Sequence, residues 1–219
     1  MNKTNIYLVP GLAAGPEIFE NLNLSEEKYQ LHYLKWKKPL AKQETISNYA
    51  MRMCEDIKEN NPVLLGVSFG GIMVQEMSKF VDAKQVIIIS SIKKSDELPK
   101  KFKLAKLTKA YKLFPTKVVS NFEGFAPMFI GKSLKKRADI YKKYLSVRSD
   151  LYLNWSISNV LKWQQEEPIK NVTHIHGTKD HIFPNKNIKD YIEIDGGTHI
   201  MILTKAKKIS QIIDRTLTC

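Results

Sequence analysis

The sequence predicts an α/β protein in which a mostly parallel sheet of about six strands carries helices on both faces. Three observations lead to this fold class. Short apolar runs alternate along the chain with segments whose apolar residues recur every three or four positions, as on one face of a helix. Several of the runs, such as Val86–Ile89, are apolar at every position, which is typical of parallel strands buried on both faces. One long segment, residues 93–165, has no strand-like run and predicts a helical insertion.

The strands follow from the apolar runs, several of which stand beside Gly, Pro or polar residues. In chain order they are Ile6–Val9, Tyr29–Trp36, Pro62–Val67, Val86–Ile89, Val172–His176 and Tyr191–Ile194. The helices follow from apolar residues at helical spacing, and they are Thr45–Asn60, Phe69–Val81 and His199–Leu217. Because ligands of parallel sheets bind beyond the carboxyl ends of the strands, we expect the functional residues in the loops that follow strands.

The overall composition bounds the class of protein. The 219 residues, 43% of them hydrophobic, are enough for one sizeable domain, and they exclude disorder and low-complexity sequence. Two cysteines, Cys54 and Cys219, exclude a disulfide scaffold and a four-cysteine zinc site. No apolar run reaches the length of a membrane span, and the apolar stretch near the N-terminus is too short for a signal peptide. We therefore expect a cytoplasmic protein.

Positive charge is concentrated in the predicted insertion. The segment from Lys93 to Trp163 has 17 basic and 5 acidic residues, whereas the rest of the chain has 18 basic and 17 acidic residues. We therefore divide the chain into a core, residues 1–92 and 166–219, and a basic helical cap, residues 93–165. A one-sided positive field attracts anionic partners, although a solvated lysine coat is the simpler alternative.

One motif predicts a nucleophile. Gly66-Val67-Ser68-Phe69-Gly70 has the G-x-S-x-G pattern, directly after an apolar strand and before a helix. A serine on such a sharp turn has a strained backbone and an exposed hydroxyl, and small neighbours let the strand and the helix approach each other. The alternative is a glycine-rich turn with an incidental serine, but the flanking strand and helix favour the nucleophile.

A serine needs a base and an orienting acid to become a good nucleophile. Asp180 lies in the loop after the strand that ends at His176, and His199 lies after the last strand, before the final helix. The order along the chain is therefore serine, aspartate, histidine. Asp195, four residues before His199, is the competing acid, and we prefer Asp180.

These three motifs together resemble the α/β-hydrolase superfamily, and in particular its small-capped serine carboxylesterases and thioesterases. The resemblance covers nearly the whole chain. It implies that Ser68 attacks a carbonyl, that His199 is the general base and that Asp180 orients the imidazole. It also implies an oxyanion hole made by the backbone N–H groups of Phe69 and Leu12, with Ala13 as a weaker candidate. The chain departs from the usual family pattern by having Pro10 before Gly11, where a histidine is common.

Several further residues have more than one interpretation. A substrate pocket would include Ser91 at a strand end and the cap aromatics Phe125, Phe129 and Trp155, although a polar strand terminus and ordinary packing explain the same residues. His174, His176 and His181 have a spacing that could be read as a metal cluster. No acid other than Asp180 stands near them to complete the site, so we expect neither a metal nor an organic cofactor.

The predicted function is hydrolysis of a carboxylic ester or thioester through an acyl-enzyme on Ser68. The basic cap adds an option, an acyl group linked to an acidic acyl carrier protein or to coenzyme A. Two alternatives use the same fold: a lyase in which the triad abstracts a proton, and a non-catalytic binding protein. We expect no nucleic-acid partner, because no zinc-finger spacing or aromatic RNA-binding motif accompanies the positive charge.

Overall fold

The computed structural model describes residues 3–108 and 143–218, and within them it contains one six-stranded sheet. The strands are β1 (Thr4–Val9), β2 (Tyr29–Tyr33), β3 (Val63–Val67), β4 (Gln85–Ile89), β5 (Val172–Gly177) and β6 (Ile192–Ile194). Their spatial order is β2-β1-β3-β4-β5-β6, and every neighbouring pair is parallel. The predicted fold class is thus confirmed, and the carboxyl ends of all six strands lie at one edge of the sheet.

Helices cover both faces of this sheet. The described ones are α1 (Ile46–Cys54), α2 (Phe69–Met77), α3 (Lys100–Leu107), α4 (Asp150–Lys162), α5 (Met201–Thr204) and α6 (Ala206–Thr218). Side chains alternate along β3, so that Leu64 packs in a core with residues of α1, α2 and α4, whereas Leu65 packs in a second core with residues of α6. Two separate cores explain why the central strands are apolar at nearly every position.

The helix boundaries differ from the sequence prediction. Helix α1 begins where predicted, because the Thr45 hydroxyl accepts a hydrogen bond from the backbone N–H of Asn48, but it ends six residues early, at Cys54. The tail was predicted as a single helix, which is wrong. It is divided into α5 and α6, because Lys205 has a φ of −127° that does not continue a helix.

The two ends of the predicted insertion, residues 93–165, lie side by side. The backbone N–H of Ser95 donates to the carbonyl of Gln165 at 2.9 Å, and the N–H of Gln165 donates to the Ser95 hydroxyl at 3.0 Å. Within the described part of the insertion, α4 packs into the core. On α3, Leu104 and Leu107 are not buried, with exposed fractions of 61% and 80%. Among the described residues, no helix combines the length and the hydrophobicity needed to cross a membrane.

Candidate active site

Ser68 occupies a tight turn between β3 and α2, as the G-x-S-x-G pattern predicts. Its backbone has φ 55° and ψ −116°, a strained conformation for a residue with a side chain. The turn depends on glycine. A Cβ on Gly66 would lie 2.1 Å from the carbonyl oxygen of Gly70, and a Cβ on Gly70 would lie 2.3 Å from that of Pro10. The strand, the helix and the loop after β1 therefore meet directly behind Ser68.

Hydrogen bonds to the backbone hold Ser68 in this conformation. Its N–H donates to the carbonyl of Ile89 at 2.9 Å, and its carbonyl accepts from the N–H of Gly71 at 2.9 Å and from the hydroxyl of Ser91 at 2.7 Å. Ser91, which the sequence suggested as a pocket residue, is thus buried beneath the turn. These hydrogen bonds fix the backbone of Ser68, and none of them involves its side-chain hydroxyl.

The structure brings three distant side chains together in a row. The Oγ of Ser68 lies 2.9 Å from Nε2 of His199, and Nδ1 of His199 lies 2.9 Å from Oδ2 of Asp180. All three side chains are buried or nearly so, with exposed fractions of 9%, 7% and 3%. The competing acid, Asp195, is exposed and accepts a hydrogen bond from the Thr178 hydroxyl. Of the two candidate acids, the structure therefore places Asp180 against the imidazole.

The surroundings of Asp180 keep its carboxyl group ionised. Its Oδ1 accepts hydrogen bonds from the backbone N–H groups of Ile182 at 2.8 Å and Phe183 at 2.9 Å. Burial acts to raise the pKa of Asp180, but the attraction of His199 and the hydrogen bonds from His199 and Phe183 outweigh it, so the pKa lies below its ordinary value. An ionised carboxylate accepts the Nδ1 proton of His199. Nε2 then carries no proton and faces the Ser68 hydroxyl as an acceptor.

A pair of buried histidines lies behind the acid. Nε2 of His176 lies 2.8 Å from the carbonyl oxygen of Phe183 and 3.8 Å from Oδ2 of Asp180, and Nδ1 of His176 lies 3.2 Å from Nε2 of His174. Burial lowers the pKa of both rings, most strongly that of His174. The pair is therefore neutral, and His176 fixes the loop that carries Asp180. Sequence reasoning missed this link between His176 and the acid.

The histidines do not form a metal site with their neighbours in the chain. His181, the third member of the candidate cluster, is exposed, while His174 and His176 are fully buried and bonded to each other. Within residues 3–108 and 143–218, no group of three His, Cys, Asp or Glu side chains is placed to hold a metal ion.

The predicted oxyanion donors lie beside Ser68. A Cβ on Gly11 would be 3.6 Å from the Cβ of Ser68, so the loop after β1 runs beside Ser68. In the described part of the chain, the N–H groups of Leu12 and Phe69 have no hydrogen-bond acceptor. Phe69 is also the first residue of α2, where the helix directs its unpaired N–H groups toward negative charge. Both N–H groups are therefore unpaired within the described residues, and both belong to segments that adjoin Ser68.

The other predicted pocket residues are only partly located. Trp155 is fully buried on α4, with its ring 4.2 Å from that of Tyr49 and 5.9 Å from that of Phe69. Neither Trp155 nor Ser91 has exposed surface in this structure, so a role for either in a substrate pocket stays a prediction. Phe125 and Phe129 lie outside the described residues.

Sequence reasoning missed one residue that contacts the loop after β1. Trp36 was predicted to end a strand, but β2 ends at Tyr33, which places Trp36 in the loop beyond the carboxyl end of that strand. There its indole N–H donates to the carbonyl oxygen of Gly11 at 3.0 Å. The signal that could have found it is its position, since this is the edge of a parallel sheet at which ligands bind.

Comparison with solved structures agrees with this architecture. An epoxide hydrolase of Bacillus megaterium matches with a TM-score of 0.75 at 13% identity, over 100% of this chain and 94% of that chain. A carboxylesterase of the thaumarchaeon Nitrososphaera gargenis gives 0.73 at 14% identity, over 99% and 90%. An esterase of Exiguobacterium antarcticum gives 0.72 at 18% identity, over 100% and 93%. The chain has the α/β-hydrolase fold.

These comparisons define the fold of the chain but not its reaction. The identities are low, and the named activities of the similar structures differ. No protein-family model matches the chain, and no curated protein matches it at a significant level.

Proposed function

We propose that this protein is a serine hydrolase that cleaves a carboxylic ester or thioester through an acyl-enzyme on Ser68. One observation carries the proposal: the uninterrupted row of hydrogen bonds from the Ser68 hydroxyl through His199 to Asp180, each 2.9 Å long. The row ends at a hydroxyl that stands beside two backbone N–H groups without an acceptor among the described residues. A nucleophile, a base, an orienting acid and oxyanion donors are the parts that acyl transfer requires.

The steps follow from this geometry. Oγ of Ser68 attacks the carbonyl carbon while Nε2 of His199 takes the hydroxyl proton, and the carbonyl oxygen becomes an oxyanion that Leu12 N–H and Phe69 N–H stabilise. The intermediate collapses, His199 gives its proton to the leaving alcohol or thiol, and an ester remains on Ser68. Water then attacks this ester while Nε2 of His199 takes its proton. The second intermediate collapses, His199 returns the proton to Oγ of Ser68, and the acid is released. Asp180 holds the imidazole and stabilises its charged form during both acylation and deacylation.

A panel of p-nitrophenyl esters with acyl chains from acetyl to dodecanoyl tests this function. We expect turnover of at least one ester, with a transient mass increase of one acyl group on the peptide that contains Ser68. Steady-state and quenched samples analysed by mass spectrometry give both readouts. Turnover without acylation would contradict the acyl-enzyme, and the absence of turnover for every ester would favour the lyase that uses the triad for proton abstraction or the non-catalytic binding protein.

The basic cap supports a more specific substrate, an acyl group on an acidic carrier protein or on coenzyme A. Helix α3 carries four exposed lysines, Lys100, Lys101, Lys103 and Lys106. This helix adjoins the rim of the site. Nζ of Lys101 lies 3.4 Å from the carbonyl of His181, and the ring of Phe102 packs against that of Phe183, which in turn contacts the His199 ring. These contacts support an approach of the anionic part of such a substrate from the side of α3.

A salt titration tests this substrate class. Raising the salt from about 0.01 M to about 1 M shortens the Debye length from about 30 Å to about 3 Å. We expect kcat/KM for acyl-coenzyme A or for an acylated carrier protein to fall at least about tenfold, while that for a neutral p-nitrophenyl ester changes less than about twofold. An equal response of charged and neutral substrates would contradict the carrier proposal.

A matched pair of double variants separates local from net charge. Lys100→Gln with Lys106→Gln removes two exposed charges from α3, and Lys207→Gln with Lys208→Gln removes two exposed charges from α6. At low salt we expect only the α3 pair to lower kcat/KM for the carrier-linked substrate, by about two- to tenfold, because charges at the rim of a binding site act mainly on association.

A further inference from the structure

The Gly11–Leu12 peptide unit links the oxyanion donor to a neighbouring carbonyl. In a trans peptide the C=O and the N–H are held in one plane and point in opposite directions, and every peptide bond of the described residues is trans. The proposed donor, Leu12 N–H, and the Gly11 carbonyl belong to the same unit. A contact that fixes the direction of the carbonyl therefore fixes the direction of the donor.

Two hydrogen bonds hold the Gly11 carbonyl. The indole Nε1–H of Trp36 donates to it at 3.0 Å, and the backbone N–H of Ala14 donates to it at 3.0 Å. A carbonyl oxygen has two lone pairs, so its acceptor capacity is filled. The bond from Ala14 is local to the turn, whereas the bond from Trp36 comes from the loop after β2. Among the described residues, Trp36 thus provides the hydrogen bond that ties this peptide unit to a distant part of the chain.

Trp36 also contacts the second half of the proposed hole. Its ring is stacked on that of Phe69, with ring centroids 5.2 Å apart and an angle of 20° between the planes. Phe69 supplies the other N–H donor. Further rings, those of Tyr49 and Tyr152, enclose the indole at 6.2 Å and 5.6 Å, and Trp36 is buried. One rigid side chain therefore bridges the two segments whose N–H groups must converge on a single oxygen atom.

We propose that Trp36 is a positioning residue that sets the oxyanion hole, by donating to the Gly11 carbonyl and by stacking on Phe69. This inference rests on the proposed acyl-transfer function. Without the indole N–H the Gly11–Leu12 peptide loses its long-range restraint, and rotation of the unit would turn a carbonyl oxygen toward the developing oxyanion. Because that charge exists only in the transition state, the loss falls on kcat and leaves KM nearly unchanged.

The test replaces Trp36 with 3-benzothienylalanine, in which sulfur stands in place of the indole N–H and the ring shape is kept. Loss of one oxyanion donor costs about 100- to 1000-fold in kcat. Because the Leu12 donor would be misplaced and not removed, we expect kcat for a p-nitrophenyl ester to fall by about 10- to 1000-fold, with KM changed less than about twofold. The affinity for an alkyl boronic acid, whose adduct on Ser68 mimics the tetrahedral intermediate, should fall by a similar factor. Trp36→Phe provides a second variant without the N–H.

The control is the same replacement at Trp163. Its indole N–H donates to the Glu76 carboxylate at 2.8 Å, away from the Gly11–Leu12 peptide, so we expect kcat to change little while thermal stability falls. A direct readout is the amide resonance of Leu12, which should shift downfield when the boronic acid binds to the parent and shift much less in the Trp36 variant.

Three results would overturn the inference. A folded Trp36 analogue with the parent kcat and boronic acid affinity would show that the N–H does not set the hole. Equal losses of kcat at Trp36 and Trp163 would show a general effect of stability. A parent chain that never acylates Ser68 would remove the proposed function and this role with it. Normal acylation in both the parent and the Trp36 analogue would instead remove only the role of Trp36.

Discussion

Replacing Ser68 with alanine is expected to lower ester turnover by about 10⁴- to 10⁶-fold, the range for loss of a serine nucleophile. Without Oγ no acyl-enzyme forms, and only the oxyanion donors and substrate binding remain to accelerate attack by water. The fold should be kept. Within the described part of the chain, the hydroxyl contacts His199 alone, and the hydrogen bonds that hold the turn use the backbone of Ser68. The melting temperature should stay within a few degrees of the parent.

A matched serine elsewhere provides the control for this variant. Ser156 is buried on α4, and its hydroxyl donates to the carbonyl of Leu153 at 3.1 Å. Ser156→Ala removes a buried hydroxyl of the same kind. A neutral hydrogen bond of this kind contributes about 1 kcal/mol to stability, so the fold should be kept and turnover should stay within about threefold of the parent. If Ser68→Ala hydrolysed the best ester at the parental rate, the nucleophile assignment would be wrong.

The parts of this molecule that local sequence determines were predictable. Strands such as β3 and β4 are apolar at nearly every position because each is covered on both faces, and that pattern is visible without any tertiary information. The turn at Ser68 was predictable for a similar reason, since its requirement for Gly66 and Gly70 is steric and acts over a few residues. Ser68, Asp180 and His199 each follow a predicted strand. Their common position at one edge of the sheet was therefore predictable as well.

The contacts that refine the site were not predictable, because they join residues that are distant in sequence. The bond from Trp36 to Gly11 crosses 25 positions and depends on where β2 ends, which was misplaced by three residues. His176 shows a different difficulty. Its position in a strand predicts a buried side chain, but its contact with the Asp180 loop depends on the fold of residues 180–183. Only the assembled loops show which buried polar group serves the site.

Which carboxylate acts on His199 is decided by replacing each in turn. Asp180→Asn is expected to lower kcat by about 10³- to 10⁴-fold, with a much smaller effect on KM. The reason is the fixed orientation of the side chain. Backbone N–H groups of Ile182 and Phe183 occupy one oxygen, so an amide must place its oxygen there and its NH₂ group toward His199. That NH₂ group donates to Nδ1, the imidazole proton moves to Nε2, and His199 can no longer accept the proton of Ser68.

Asp195→Asn is the matched control, because it makes the same chemical change four residues before His199. Asp195 is exposed, and its carboxylate accepts only a long hydrogen bond of 3.3 Å from the Thr178 hydroxyl among the described residues. We expect its kcat to stay within about threefold of the parent, as measured on the same p-nitrophenyl ester. The reverse pattern, a large loss in Asp195→Asn and a small one in Asp180→Asn, would move the acid to the end of β6 and would require the Asp180 loop to rearrange on substrate binding. Because the ionised Asp180 carboxylate already accepts three hydrogen bonds, from His199, Ile182 and Phe183, such a rearrangement would leave buried donors unpaired, and we expect the loss at Asp180.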